Sequence, residues 1–587
     1  MHIVWNTTYG QREVIASMVE YYCKTCDIKT DLSICPSCHQ RTDLKGSSIY
    51  WCEECKTPLY DPLCPLCEKK AKRIATDLRP VFPEERLLME IVLGEPLKYI
   101  DSSVWSSASN YYLIDGKRVD FNITDIQRIG ADTVRGEIEK YTPQNKESAF
   151  STYIDRFIRA NQGRCNYITS EACSYIRSAA QNYGPTEMFV SMSGGKDSTV
   201  VSSLVRRALS SEEILHIYGD TTLEFPETKK YIEEFRRIHP KTPLLVAINK
   251  DKDFEDLCTK LGPPSRVMRW CCTIFKTGAI QRKITTLFRN KKRVLTFMGL
   301  RRNESNSRSK YDRDANSPKI TIQKTSCPII DWFDFDIWLY LLTNKVEFNQ
   351  AYRLGYTRVG CWCCPNNSQW SNCMSQIYMP EQYNHFRDLL ISFAKEIGKP
   401  DPEEYIDSGN WKARQGGNGL QYAQKSVITF EPCATQENTI NFELQKPITE
   451  EFYEYFKPFG IIDKTIGNSR LGEVFITDKD HKLLLKLQGR IGSKTLKISI
   501  LDKNVGHSQS MKVAEEKVKC QITKYQMCIG CLACESICKH GAINIVADKN
   551  GLISYRINDE KCIRCGDCIT HYDGGCYMRR VMCIKRA

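Results

Sequence analysis

Two sets of residues in this chain have the types and spacing for chemistry: the run SGGKDS at 193–198, and 29 cysteines gathered into groups. Ser193, Gly194, Gly195, Lys196, Asp197 and Ser198 follow the apolar run MFV and precede TVVSSLVRRAL. Glycines let a backbone approach an anion closely, and the first amides of a following helix point at it. Lys196 can neutralise phosphate oxygens. Asp197 is itself an anion, so its work is to hold a magnesium ion or to orient the loop. The spacing differs from the common Walker pattern.

The cysteines are spaced as metal ligands. Cys23, Cys26, Cys35 and Cys38 form C-x2-C-x8-C-x2-C, and Cys52, Cys55, Cys64 and Cys67 repeat it 29 residues later. Paired knuckles of this kind place four thiolates tetrahedrally, which predicts two structural zinc ions in tandem ribbons; a rubredoxin-type iron in the same cage is the rival. The short polar loops around them provide no core that stands without metal. Near the other end, Cys528, Cys531, Cys534 and Cys538 form C-x2-C-x2-C-x3-C, followed by Cys562, Cys565, Cys568 and Cys576. In two-cluster ferredoxins the fourth cysteine of each run serves the other run's cluster. One [4Fe-4S] cluster is therefore assigned to Cys528, Cys531, Cys534 and Cys576, the other to Cys562, Cys565, Cys568 and Cys538. The second run has a longer loop before Cys576, for which Cys583 is the substitute, and neither run ends in Cys-Pro.

These residues need elements to position them. MFVSMS, ILHIYGD, LLVAIN and RVLTFMGL read as strands, separated by helices at TVVSSLVRRAL, ETKKYIEEFRRI and KTGAIQRKITTLF. Such alternation predicts an α/β, doubly wound parallel sheet with ligands at the carboxyl ends of its strands. With 587 residues the chain exceeds one core. The expected division is tandem zinc ribbons at 1–79, a small β-rich module at 80–145, the nucleotide domain at 146–400, a small α+β module at 401–515 and a ferredoxin domain at 516–587. In 80–145 a short helix precedes strands that turn at Asp115-Gly116, and its tyrosines could stack on RNA bases or simply fill a core. In 401–515 a helix near EEFYEYFKPFG precedes alternating strands.

Lysines and arginines number 83 against 70 acids, a net charge of +13 that suits an acidic partner without specifying one. No apolar run is long enough for a membrane span, the first residues lack a secretory pattern, and ungrouped disulfides are not expected in so cysteine-rich a reduced chain; a cytoplasmic protein is the expectation.

Five ordered blocks carry a family resemblance: SGGKDS; YGDTTLEFPET at 218–228; GPPSRVMRWCCTIFK at 262–276; GLRRNESNSR at 299–308; and CPIIDWFDFDIWLY at 327–340 with LGYTRVGCWCC at 354–364. Over about 200 residues the chain resembles the phosphoadenosine phosphosulfate (PAPS) reductase family, within the PP-loop ATP pyrophosphatases of adenine nucleotide alpha-hydrolase-like fold. The resemblance implies an adenine nucleotide, ATP or a sulfonucleotide, with Mg2+. Asp220 and Thr221, at the end of the second strand, are placed to reach its ribose or base. Arg269, Lys276, Arg301, Arg302 and Arg308 would supply cations for phosphate or sulfate, with Glu304 and Ser305 bonding within that loop. Lys196, Asp197, Arg301 and Arg308 are the candidate catalytic set. Cys271, Cys272, Cys361 and Cys364 look like the paired-cysteine ligand set of adenylyl-sulfate reductases, which implies a third [4Fe-4S] cluster. Zinc, or a smaller set using Cys363 or Cys373, is the alternative; Cys258 and Cys327 read as buried hydrophobes.

Reductases of this family use a C-terminal nucleophilic cysteine segment that this chain lacks, whereas members that split ATP keep the intact Gly-Gly-Lys-Asp-Ser run. The expectation is ATP-dependent adenylation and sulfur transfer to a nucleic acid or small molecule, with electrons from the ferredoxin domain. A sulfonucleotide reductase releasing sulfite and a non-catalytic electron-transfer scaffold are the alternatives. Candidate partners are an electron-donor protein, an RNA or DNA substrate and a cysteine desulfurase.

Overall fold

Met188–Met192 (β1) is buried on both faces: Val190 shares a core with Val200, Leu204 and Leu295, whereas Phe189 packs with Ala279, Ile284 and Phe288. A strand with two dry faces belongs in the middle of a helix-covered sheet. The computed structural model describes residues 20–23, 26–30, 35–39, 43–46, 48–107, 111–305, 308–317, 322–413, 428–547, 553–570, 576–578 and 584–586, and places β1 there.

Helix Lys196–Ala208 (α1) leads to His216–Asp220 (β2), and helix Pro226–Ile238 (α2) to Leu244–Ile248 (β3). Helix Gly278–Leu287 (α3) precedes Val294–Phe297 (β4), and the sheet ends with Asp314–Asn316 (β5) and Gln323–Ser326 (β6). The order is β3-β2-β1-β4-β6-β5, parallel throughout except for the antiparallel edge β5. This is the expected doubly wound sheet. Strand order reverses at β1, so a crevice opens at its carboxyl end, where the glycine loop follows. Helix Asp334–Thr343 (α4) packs through Ile337, Trp338 and Leu341 on the same core as Val190.

The N-terminal parts are joined to this domain. Trp51 of the second ribbon is buried with Trp105, Phe157 and Phe335, and its indole lies against the turn at Asp115-Gly116. That turn has φ of 48° and 80°, the left-handed pair a tight hairpin needs. Residues 80–145 contain more helix than strand, which corrects the β-rich expectation. Pro83–Val92, Ile123–Ile129 and Ala131–Tyr141 are helices, because Leu87, Leu88, Ile126 and Val134 bury together on one face.

The 401–515 region forms most of a seven-stranded sheet, but Ile584–Arg586 from the far end of the chain pairs parallel to Ile428–Pro432 and completes it. A boundary at 515 therefore does not separate two independent sheets. EEFYEYFKPFG is a 3-10 helix over Glu450–Phe459, with Pro458 inside it denying an amide to a regular α-helix. Helix Met511–Met527 (α5) starts before the expected edge of the ferredoxin domain and delivers its first cysteine run. No helix among the described residues is long and apolar enough to cross a membrane.

Candidate nucleotide and iron-sulfur sites

The glycine loop joins β1 to α1. Gly194 has φ of +72°, and a Cβ there would stand 2.7 Å from the Thr228 methyl, so glycine is required for both backbone and space. A Cβ on Gly299 would meet the Asp197 carbonyl carbon at 2.7 Å, which shows how closely the segment after β4 lies on the first turn of α1. Ser198 Oγ donates to the Gly195 carbonyl at 2.9 Å and accepts from the Ser193 amide at 3.2 Å. From the other side, Tyr352 Oη accepts from the Lys196 amide at 3.0 Å, and Asn349 Nδ2 donates to the Gly194 carbonyl at 3.1 Å.

The charges behind this loop form one network. Lys196 is 5% exposed; its ammonium donates to the Thr357 carbonyl at 3.3 Å and lies 3.4 Å from Asp334 and 3.6 Å from Asp197. The Arg301 guanidinium forks between Asp197 at 2.5 Å and Asp334 at 2.7 Å. Asp197 is thus engaged by cations, which fits loop orientation rather than magnesium ligation. Burial alone would raise the Asp334 pKa, but Lys196 and Arg301 outweigh it and hold the carboxyl at about 2. Asp77, from the stretch after the second ribbon, accepts from the amides of Asp334 and Phe335, both at 3.0 Å. Burial and the neighbouring Asp334 push Asp77 up to about 7.

The other expected cations divide. Arg302 is buried and committed to Asp331 and the Tyr311 carbonyl, so it points into its own loop and not to a ligand, contrary to expectation. Arg308 pairs with Glu304. Burial and the nearby Arg358 lower its pKa, a crowding of like charge that an anion would relieve. Arg269 and Lys276 are exposed; Lys276 acts electrostatically on Glu224 and Cys361, and Arg269 on Cys364. Thr221 is also displaced from its expected role: it is 2% exposed, donates to Glu224 at 2.7 Å and lies 3.3 Å from Cys361 Sγ. Its hydroxyl therefore supports the cysteine site. Asp220 accepts from the Thr222 amide at 2.8 Å. Burial raises Glu224 to about 6.

Cys271 immediately precedes a π-helix at Cys272–Thr277, a rare turn that recurs at functional sites. Cys361 forms a β-bridge with Glu224, and the Cys364 amide donates to the Cys361 carbonyl at 3.2 Å. The four cysteines are half-buried electrostatic neighbours, with Arg269 and Arg358 near Cys364. Cys363 is buried beside them, whereas Cys373 packs with Leu87 and Val134 in a different core and cannot join the set.

At the N-terminus, the sulfurs of Cys23, Cys26, Cys35 and Cys38, and those of Cys52, Cys55, Cys64 and Cys67, each converge within 4.8 Å of one another. Each quartet suits a single metal ion. Toward the C-terminus Cys576 lies electrostatically near Cys531 and Cys534, and Cys538 near Cys562 and Cys568, with Cys568 also near Cys534. Cys538, Cys562, Cys565 and Cys568 line one cavity together. Cys583 falls outside the described residues. This lobe docks on the nucleotide domain: Arg282 of α3 holds Glu535 bidentately at 2.7 and 2.9 Å, and Lys252 donates to the Ile529 carbonyl at 3.1 Å. Tyr577, beside Cys576, donates to Thr273, beside Cys272, at 3.1 Å.

Fold and sites together define a doubly wound α/β nucleotide-type domain carrying a two-cluster ferredoxin lobe and N-terminal cysteine quartets able to bind zinc. Residues 187–367 match the phosphoadenosine phosphosulfate reductase domain and residues 527–571 the 4Fe-4S dicluster domain, and the chain contains both. It is similar to two uncharacterized proteins of Methanocaldococcus jannaschii. One is 29% identical over 278 residues, covering 47% of this chain and 55% of the relative; the other is 30% identical over 269 residues, covering 45% and 61%. The chain thus spans less than two thirds of either relative. An adenosine 5'-phosphosulfate reductase of Anoxybacillus flavithermus is 28% identical over 196 residues, 32% of this chain and 77% of that one. Among solved structures, the phosphate complex of PAPS reductase from Candida auris aligns at 15% identity and TM-score 0.27, over 35% of this chain and 97% of that one.

Asp334, Asp77, Tyr352 and Arg358 are the site residues that sequence reasoning missed. Asp334 lies within CPIIDWFDFDIWLY, Arg358 within LGYTRVGCWCC and Tyr352 just before it; nothing local marks Asp334 and Tyr352 as facing Lys196, or Arg358 as near Cys364.

Proposed function

We propose that the chain binds an adenine nucleotide at the Ser193–Ser198 loop, adenylates an acceptor with ATP and exchanges AMP for sulfur, drawing electrons from its dicluster lobe. The observation that carries this reading is the intact Lys196-Asp197-Ser198 run at the carboxyl end of the central strand, braced by Arg301 and Asp334. An acceptor oxygen attacks the α-phosphorus, the bond to the bridging oxygen breaks and pyrophosphate leaves. Sulfide then displaces AMP. Lys196 and Arg308 would steady the departing charge, with Mg2+ carried by the nucleotide, which is electrostatic catalysis. Making sulfide from a sulfane donor, such as a desulfurase persulfide, takes two electrons and two protons. The dicluster lobe, when loaded, supplies single electrons. Cys271, Cys272, Cys361 and Cys364 would hold a third cluster; the donor set is all thiolate, and its sulfurs are spread more widely than the two tight N-terminal quartets.

Sulfonucleotide reduction to sulfite is the second reading. It is favoured by the docking of the dicluster lobe on the π-helix of Cys272, and by similarity to proteins named adenosine 5'-phosphosulfate reductase.

Anaerobic protein given ATP or adenylyl sulfate separates the two. Pyrophosphate that disappears in Lys196→Ala supports adenylation, and its persistence sinks it. Sulfite formed from adenylyl sulfate without an added thiol carrier supports the reductase.

A further inference from the structure

Lys524 lies in the last turn of α5, just before the matched dicluster segment, and it is 1% exposed. Its ammonium donates to the Cys568 carbonyl at 2.7 Å. Its other electrostatic neighbours are Cys534, Cys568, Cys520 and Cys576. Among the described residues no carboxylate pairs with it. Cys534 and Cys576 belong to one cluster set and Cys568 to the other, so the lysine stands between the two.

An ammonium removed from water without a counter-ion is expensive, and one backbone carbonyl does not offset that cost. Thiolate-ligated iron-sulfur clusters carry net negative charge, and each gains another on reduction. Cluster potentials respond to nearby charge and burial. A fixed positive charge in this dry position would favour the reduced form of both clusters. The helix end adds a smaller attraction for a cation, but that needs no burial.

We propose that Lys524 is the built-in counter-charge of the dicluster lobe, raising the reduction potentials of both clusters. It is a tuning residue that acts through charge and touches no substrate. The proposal rests on the lobe from Cys528 to Cys576 holding two clusters, and that premise is measured separately in the unmodified chain.

The test is an EPR-monitored redox titration of the full-length anaerobic protein, with iron content determined on the same samples. Lys524→Gln keeps a donor for the Cys568 carbonyl and removes the charge; Lys524→Arg keeps the charge. With iron retained, Lys524→Gln shifts both lobe potentials to more negative values, and Lys524→Arg stays near the unmodified protein. Iron lost in Lys524→Gln but kept in Lys524→Arg also supports the charge. Unchanged potentials in an iron-replete Lys524→Gln overturn the proposal, as do equal shifts or equal iron loss in both variants, since shape would then matter and charge would not. An unmodified chain without two reducible clusters in this lobe removes the premise and the proposal together.

Discussion

The ammonium of Lys196 lies 3.4 Å from the carboxylate of Asp334, which also takes the Arg301 guanidinium at 2.7 Å. One acid from α4 thus restrains two cations behind the glycine loop. Deleting it leaves both in a largely dry site. Breaking a buried ion pair by removing one partner costs about 3 kcal/mol. Asp334→Ala is expected to lower unfolding stability by that order, far more than loss of a solvent-screened exposed pair such as Lys69–Glu54. Denaturant titration of the anaerobic protein measures the difference; a loss no larger than that of Glu54→Ala would show that Asp334 does not anchor the network.

Asp77 gives this network a pH dependence. Lys196 faces Asp197 and Asp334, Arg301 faces these two and Asp77, and Arg79, which also acts on Asp334, is paired with Glu85; three cations among four carboxyls are balanced when one carboxyl is protonated. Burial and Asp334 make Asp77 that group, up at about 7. Its folded pKa is above the unfolded value of about 4. The stability from its proton is therefore full below about 4 and is lost as pH rises through about 7. Asp77→Asn removes the titration and keeps an acceptor for one of the two amides, since Asp334 and Phe335 donate to different carboxylate oxygens; the comparison is therefore of slopes with pH, not of absolute stability. Stability measured from pH 4 to 8 should fall more steeply for the unmodified protein than for Asp77→Asn, and parallel curves would remove the assignment.

The sheet was legible in the sequence because β1, β2 and β4 are short apolar runs buried on both faces, a pattern readable without tertiary information. The loop was legible because Gly194 needs a left-handed backbone, a local demand. Asp334, Asp77 and Tyr352 were not, since Asp334 and Tyr352 reach Lys196 from helices distant in the chain, and Asp77 reaches the network only through the Asp334 and Phe335 amides. Arginine identity misled at Arg302: the residue type suits an anion, but Asp331 beside it takes the guanidinium. Ile584–Arg586 carries too few residues for a strand pattern, and its partner strand at Ile428–Pro432 is what defines it.

Gly116 joins the second cysteine ribbon to the rest of the molecule. It has φ of +80°, and an added Cβ would meet the Trp51 indole nitrogen at 2.3 Å. Trp51 is fully buried, so the ring has no free direction in which to retreat. Gly116→Ala combines backbone strain with overpacking and is expected to cost about 2–3 kcal/mol. The loss should appear as a lower melting temperature and easier proteolysis around Trp51. A melt equal to that of the unmodified protein would mean that the ribbon does not dock through this turn.

Metal content decides whether the nucleotide domain holds its own cluster. Two N-terminal quartets of close sulfurs predict two zinc ions, and two ferredoxin sets predict eight irons. Cys271, Cys272, Cys361 and Cys364 add four more if the wider set takes a cubane, giving twelve irons and two zincs per chain. Cys271→Ser should then lose about four irons and leave zinc unchanged, because the quartets are remote in sequence and are filled from their own knuckles. Cys373→Ser, whose sulfur packs in the core with Leu87 and Val134, should lose none. Anaerobic metal analysis with about eight irons in the unmodified chain would reject the third cluster. Eight irons with a third zinc would instead give the cysteine set a structural ion, and the dicluster lobe would then face a redox-inert site across the Tyr577–Thr273 contact.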